Sequence, residues 1–306
     1  MGTIVNFATA FCIASRLARD EGRTASVCLD IVDTAPSQQI SIDSVTYQRS
    51  QRFTGEMHEY MPDFIGVLDE LRDYYGVAYR TRNQADFLSL ASVPLILHDI
   101  IEDREKLGAS FSPRTGRLGI RSACPHDACG WADKHGIRNT YNNTTITFYC
   151  PHHGSYHVDY SSLAEVKRLE FNTPLRNIIR ARAFSQDPEH SWIRLTGSDY
   201  AGYYQEQLLW RHLSTPVVIF YSPLIIDWSG AKLSKSLYVE EGAYQYLKDS
   251  GVDYLLSYTK FLEQGRDLRV IFNEVADWVD HPYKLFRPYS VSYIHSVFER
   301  SAASAG

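Results

Sequence analysis

Three cysteines and a histidine within one short stretch restrict this chain more than any other feature. Cys124-Pro-His-Asp-Ala-Cys129-Gly is followed, after twenty intervening residues, by Cys150-Pro-His-His153-Gly. Each half supplies two ligands on one turn, with a glycine that lets the backbone bend around an ion. Two such knuckles on neighbouring hairpins complete a tetrahedral site of the kind zinc takes. The expected ligands are Cys124, Cys129, Cys150 and His153. The first knuckle has four residues between its cysteines, at the long end of the usual range, so His126 is a rival there. His152 is the alternative to His153, and His157 also competes. A closed four-ligand site holds structural Zn2+ and stabilises a module too small for a core of its own. The chain has five cysteines. An odd count without an export signal favours metal over disulfides. Cys12 and Cys28, in apolar surroundings, read as buried free thiols.

Around this constellation, residues 111–160 are rich in Cys, His, Asn, Thr and Gly, with short alternating runs such as Thr144–Tyr149. They read as a small β-rich insertion. The flanking segments have a different pattern. Residues 3–19 carry apolar side chains at Ile4, Phe7, Ala8, Phe11 and Cys12, close to helical spacing, and stop near Gly22. Ala25–Val32 suits a buried strand of a parallel sheet. Asp43–Arg49 reads as a short strand. Pro62–Tyr75 reads as a helix, as does Asp86–Leu107 with a break near Pro94. Leu163–Phe184 is helical with a break at Pro174. Trp192–Leu195 as a strand, a helix from about Tyr203 to Leu213 and a second strand over Pro216–Tyr221 make a strand–helix–strand unit. Residues 240–300 read as helices, with Tyr244, Leu247, Leu255, Leu256 and Phe261 in the core and a frayed tail at the end.

The resulting fold class is α/β. A Rossmann-like parallel-sheet nucleotide-binding fold carries an inserted zinc-ribbon module and a helical C-terminal segment. Its first half spans 1–110, the zinc ribbon 111–160, the second half 161–240, and the helical segment 241–306.

The loop Lys232-Leu-Ser-Lys-Ser236 follows a small Ser229-Gly230-Ala231 turn after the second strand of that unit. Two lysines three apart, with serines between and after, can converge on one polyphosphate and neutralise charge that develops on departing pyrophosphate, the plainer reading being a solvated basic loop. Ligands of open α/β sheets bind beyond the carboxyl ends of the strands, where this loop falls.

KLSKS resembles the KMSKS signature of class I aminoacyl-tRNA synthetases, with leucine for methionine. That family carries a second signature, HIGH, at the start of its first helix. Here Met1-Gly2-Thr3 lies directly before the first helix; Gly2 is the one identity and Thr3 replaces the last histidine. The first histidine and the family's first strand have no counterpart in this chain. Within the class, the resemblance is closest to the class I lysyl-tRNA synthetases. Those have a cysteine-rich zinc insertion between the two halves of the fold and a Gly-x-Asp-His segment before a helix. Gly197-Ser-Asp199-Tyr200 stands at that place. The glutamyl group resembles the chain less. The resemblance covers roughly residues 1 to 240.

This likeness implies ATP-dependent activation of an amino acid, lysine being favoured, to an aminoacyl-adenylate. It implies ATP with Mg2+, the amino acid and a tRNA acceptor end as ligands, and a role in protein biosynthesis. By the same likeness Lys232 and Lys235 are the catalytic pair at the phosphates, Ser234 and Ser236 shape their loop, and Gly2, Thr3, Gly197 and Asp199 contribute to the ATP site. About 70 residues follow KLSKS, short for a separate anticodon-reading domain.

The whole chain, 306 residues with 44% hydrophobic and 22% charged residues, has the composition of a globular protein. Its net charge of −5 shows no overall basic face. The run from Arg176 to Arg182 is the local RNA-binding candidate, and a solvated helix face is its simpler reading. Asp30 and Glu206 are candidates to meet a cationic side chain, with surface charge the simpler reading of both. No run approaches the ~20 apolar residues a membrane span needs. Ile4–Ser15 lacks the basic start of a secretory signal, and Asn6 stands where a myristoylation signal needs Ser or Thr. The expectation is a cytoplasmic protein. Two other functions fit the same sequence: an inactive synthetase paralog that binds without catalysis, and a zinc-ribbon nucleic-acid binder in which KLSKS is coincidental.

Overall fold

The computed structural model describes residues 1–202, 210–213, 217–233 and 244–305. Helix α1 (Gly2–Asp20) buries Val5, Ala8, Phe11 and Cys12 on one face and ends before Gly22, whose φ of +61° only glycine takes without strain. β1 (Val27–Asp30) runs parallel to β4 (Tyr79–Arg82). Between them lie the antiparallel hairpin β2 (Pro36–Ile42) and β3 (Val45–Ser50), the short helix α2 (Gln51–Thr54), and α3 (Met57–Tyr75), which Gly76 closes in the left-handed conformation. α3 begins five residues before the position at which Pro62 marks a start in the sequence, and it holds that proline inside.

The expected long helix over 86–107 is three: α4 (Gln84–Leu88), α5 (Val93–Glu102) and α6 (Arg104–Phe111). Pro94 occupies the first turn of α5, where its missing N–H costs nothing. The cysteine-rich stretch is β-rich as expected: β5 (Ile120–Ser122), β6 (Ala132–Asp133), β7 (Thr140–Asn142), β8 (Thr145–Cys150) and β9 (Gly154–Asp159). After α7 (Leu163–Val166), β10 (Leu169–Phe171) returns to pair with β5, and α8 (Thr173–Ser185) follows. Asn172 caps α8 by accepting from the Leu175 backbone N–H at 3.1 Å. Asn172→Ala should therefore lower stability by about 1 kcal/mol, read as a shift in the denaturant midpoint at constant slope.

β11 (Ile193–Gly197) and β12 (Val218–Ser222) form the expected parallel pair. The helix expected over 203–213 lies mostly outside the described residues; Trp210–His212 is a single 3-10 turn. β13 (Ile225–Ile226) pairs with β14 (Tyr289–Ser290). The C-terminal part is helical: α9 (Gln245–Asp249), α10 (Tyr258–Glu263), α11 (Arg269–Asp280), α12 (Pro282–Leu285) and α13 (Val291–Ala305). Ser301–Ala305, expected to fray, continues α13. Tyr244, Leu247, Leu255 and Phe261 are buried as expected, with Leu256 partly so.

The chain is thus a mixed α/β protein built on several small parallel and antiparallel sheets. Its apolar side chains gather in two clusters. One joins α4–α8 to the β-rich segment, with Phe87, Ile100, Phe148, Phe171 and Ile178 fully or nearly fully buried. The other joins α1 and α3 to the C-terminal helices around Phe11, Leu71, Phe272 and Trp278. The β2–β3 hairpin belongs with the cysteine-rich stretch, because β3 pairs with β6 and Ser50 donates to Glu170 at 2.7 Å. Glu170 in turn meets Arg121 at 3.2 Å, an ion pair almost wholly removed from water. α1 packs against β1, β11 and β12. No helix among the described residues is long and apolar enough to cross a membrane.

Candidate metal centre and phosphate site

Ligand atoms of Cys124, Cys129, Cys150 and His153 all lie within 4.8 Å of one another. The Cys129 and Cys150 sulfurs are 3.5 Å apart, and His153 Nδ1 is 3.5 Å from the Cys124 sulfur and 3.7 Å from that of Cys150. A tetrahedral ion with Zn–S of about 2.3 Å and Zn–N of about 2.0–2.1 Å has S···S edges of about 3.8 Å and S···N edges of about 3.6 Å. These three separations lie near those edges, and the four residues can hold a metal ion such as zinc.

The local chain explains the geometry. β8 delivers Cys150, and Gly154 at φ +74° turns the chain back into β9, so His153 swings over the sulfur of Cys150. In the first knuckle Ala128 and Gly130 both adopt positive φ, which curls Cys129 under Cys124. A side chain at Gly130 would strike the Phe53 ring at 2.5 Å. The His152 N–H points at the Cys150 sulfur at 3.5 Å. All three cysteines are buried while His153 is exposed. Burial pushes the Cys124 thiol up to about 12. Only a cation at the centre would make thiolates stable there.

The rival histidines separate cleanly. His157 sits on the exposed face of β9 and pairs with the Thr147 hydroxyl at 2.9 Å. His126 stacks on the His153 ring at a centroid distance of 4.2 Å and contributes no ligand atom to the cluster; neither does His152. Arg49 was not legible as part of this site. From β3 it donates to the backbone oxygens of Cys129 at 2.7 Å and Ala128 at 3.0 Å, with its guanidinium 4.6 Å from the Trp131 ring centre. It fixes the first knuckle from a strand about 80 residues earlier in the chain, and no local sequence signal marks it.

The second candidate site lies at the carboxyl end of β11. Lys232 Nζ donates to Asp199 Oδ2 at 2.5 Å. The strand ends at Gly197, and a Cβ there would meet Asp199 Oδ1 at 2.5 Å, so glycine is what lets Asp199 fold back over the strand end. Lys232 is set by a tight loop. Asp227 Oδ1 accepts from the Ser229 and Ala231 backbone N–H groups and from the Ser229 hydroxyl, and Lys232 bridges back to Ile226. The Lys232 and Asp199 side chains are 50% and 29% exposed, so the pair holds little stability and opens easily.

Ser234, Lys235 and Ser236 lie outside the described residues. Gly2 and Thr3 open α1 and are half-buried, with space beside the Gly2 Cα where a side chain would go. Among the described residues no hydrogen bond ties Gly2 or Thr3 to Asp199 or Lys232. A surface hollow of about 490 Å³ is lined by Asp99, Glu102, Asp103, Arg182, Ser185, Gln186 and His212, and no residue of the metal or phosphate site lines it.

Two sequence readings are corrected here. Asp30 is not a free surface charge: its side chain is 15% exposed and bonds Arg82 at 2.7 Å, with Arg180 at 3.3 Å. The Arg176–Arg182 run is not a solvated face: Arg180 turns inward to Asp30, and Arg182 donates to the His212 backbone oxygen at 3.4 Å.

Fold and donor set together define a mixed α/β protein with a four-ligand cysteine–histidine centre. No known protein-family profile matches the chain, and no curated protein matches it.

Proposed function

We propose that this chain is a class I aminoacyl-tRNA-synthetase-like protein that activates an amino acid with ATP, its cysteine–histidine centre holding structural zinc. The observation that carries this reading is the contact between Lys232, the first lysine of KLSKS, and Asp199, just beyond the carboxyl end of β11. The two sequence signals are far apart in the chain and meet at one strand's carboxyl end. The two parallel pairs, β1–β4 and β11–β12, share the helix α1, which supports a Rossmann-like arrangement of the pieces.

The chemistry assigned to the site needs no protein nucleophile. A carboxylate oxygen of the amino acid attacks the α-phosphorus of ATP, the bond from that phosphorus to the α–β bridging oxygen breaks, and pyrophosphate leaves with the electron pair. Lys232 exchanges Asp199 for the departing phosphates and neutralises their growing charge. Lys235 adds a second cation from the same loop, and Mg2+ accompanies the nucleotide. Positioning supplies the rest. The closest resemblance makes lysine the expected amino acid and a tRNA 3′ end, or another amine or carrier, the acceptor of the acyl group.

The test is ATP–pyrophosphate exchange with each of the twenty amino acids, using the full chain. Exchange that depends on one amino acid and is lost in Lys235→Ala bears the reading out. Silence with all twenty favours a non-catalytic binding protein.

A further inference from the structure

The carboxyl ends of β1 and β4 carry a charge imbalance that the proposed function leaves unused. β1 ends at Asp30 and β4 at Arg82, side by side in register. Asp30 bonds Arg82 through one oxygen at 2.7 Å and meets Arg180, from α8, through the other at 3.3 Å. Two guanidiniums thus share one carboxylate. The three side chains are only 11–15% exposed. The neighbouring acid does not redress the balance, because Asp33 is bound by Arg52 through both oxygens at 2.9 and 3.1 Å.

Donors are in surplus as well. Among the described residues, Arg82 Nη2 and Gln84 Nε2 are buried without a hydrogen-bond acceptor, and Arg180 Nε, though close to Asp30, is not aligned to donate to it. Gln84 is fully buried, and its Oε1 already accepts from Arg180 Nη2 at 3.4 Å. A wall of rings closes the site: Arg82 lies 5.0 Å from the Phe87 ring centre, 5.6 Å from Phe184 and 5.8 Å from Trp192. Two guanidiniums on one carboxylate leave one charge uncompensated, which is costly to bury; burial lowers the Arg180 pKa, Asp30 raises it and Arg82 lowers it again. An anion would complete the cluster. The carboxyl ends of parallel strands are where α/β proteins bind ligands.

We propose that Arg82, Arg180 and Gln84 bind the side-chain carboxylate of an acidic amino acid, aspartate or glutamate. This rests on the amino-acid-activating reading and changes its expected substrate. A guanidinium fork pairs bidentately with a carboxylate. A cationic side chain has little to meet there, since both nearby carboxylates, Asp30 and Asp33, are held by arginines. An α-carboxylate fits poorly too. It brings an ammonium group on the adjacent carbon, and the cluster offers that group no free acceptor.

The experiment is calorimetric titration of the full chain with L-glutamate, L-aspartate, L-glutamine and L-lysine, followed by exchange assays with the same four. One acidic amino acid binds at least about a hundredfold tighter than glutamine, because the neutral amide leaves the guanidiniums unpaired. Arg180→Gln removes that preference. Should that variant fail to fold, Arg82→Lys keeps the charge, loses the fork and weakens acidic-ligand binding at least tenfold. Lysine or glutamine binding as tightly as the best acid overturns the inference, as does a preference that survives both variants. The two readings fail separately. Exchange driven by lysine leaves amino-acid activation standing and sinks this inference. Tight glutamate or aspartate binding with no exchange leaves this site standing and sinks activation.

Discussion

Stripping the metal from this protein should unfold far more than a surface knuckle. Cys124, Cys129 and Cys150 are members of the larger apolar cluster, beside Ile146, Phe148 and Tyr156, and that cluster extends to α8. A structural zinc in such a setting contributes on the order of 10 kcal/mol of apparent binding free energy at neutral pH. Excess chelator should release one zinc per chain and abolish the near-ultraviolet circular dichroism of the buried aromatics in 84–184. Cys150→Ser, purified in the same way, should hold less than about a tenth of the wild-type metal and be destabilised by several kcal/mol. His157→Ala should keep its zinc, because His157 is engaged with Thr147 on the far face of β9. Equal zinc in wild type and Cys150→Ser would refute the ligand set.

The second large effect concerns catalysis. Lys232→Ala should reduce amino-acid-dependent pyrophosphate exchange by about 10²–10³, the cost of deleting one preorganised charge-stabilising donor. Its thermal stability should hardly change, since a half-exposed ion pair is worth at most about 1 kcal/mol. Asp199→Ala gives a contrasting result. It frees Lys232 without removing it, so any loss of exchange reports the role of Asp199 toward the nucleotide or substrate rather than toward the fold. If Lys232→Ala kept full exchange, the loop would not be the phosphate site.

The parts of the molecule written locally were legible in the sequence. α1 follows from apolar spacing and a stop at Gly22. The β11–β12 pair follows from two apolar runs, and the metal ligands from two knuckles of similar form. The parts that escaped depend on distant partners or on weak local signals. The β2 strand is mostly polar, and its turn to β3 is made by Asp43 and Ser44 at φ +49° and +62° rather than by the glycine that usually marks such a hairpin. β10 is three residues long, too short to show a period, and exists because β5 pairs with it. Arg180 reads as a solvent-facing helix charge until Asp30, 150 residues earlier, is seen beside it. The same holds for Arg49, whose partners are backbone oxygens that no side-chain pattern reveals.

The first helix has some of its partners at the other end of the chain. α1 packs on α11, Arg16 pairs with Asp280 at 2.6 Å, and the Met1 ammonium donates to the Leu255 backbone oxygen at 2.9 Å. During vectorial synthesis, β1 and α3 follow soon enough to cover part of the apolar face of α1. The part that α11 covers must stay sheltered, by a chaperone or by transient nonnative contacts, until some 250 further residues have been translated. Slow, nonlocal closure of this kind exposes a nascent chain to aggregation. Expression yield should respond to chaperone supply, and to truncation after residue 250, more sharply than to changes in the metal-bearing half.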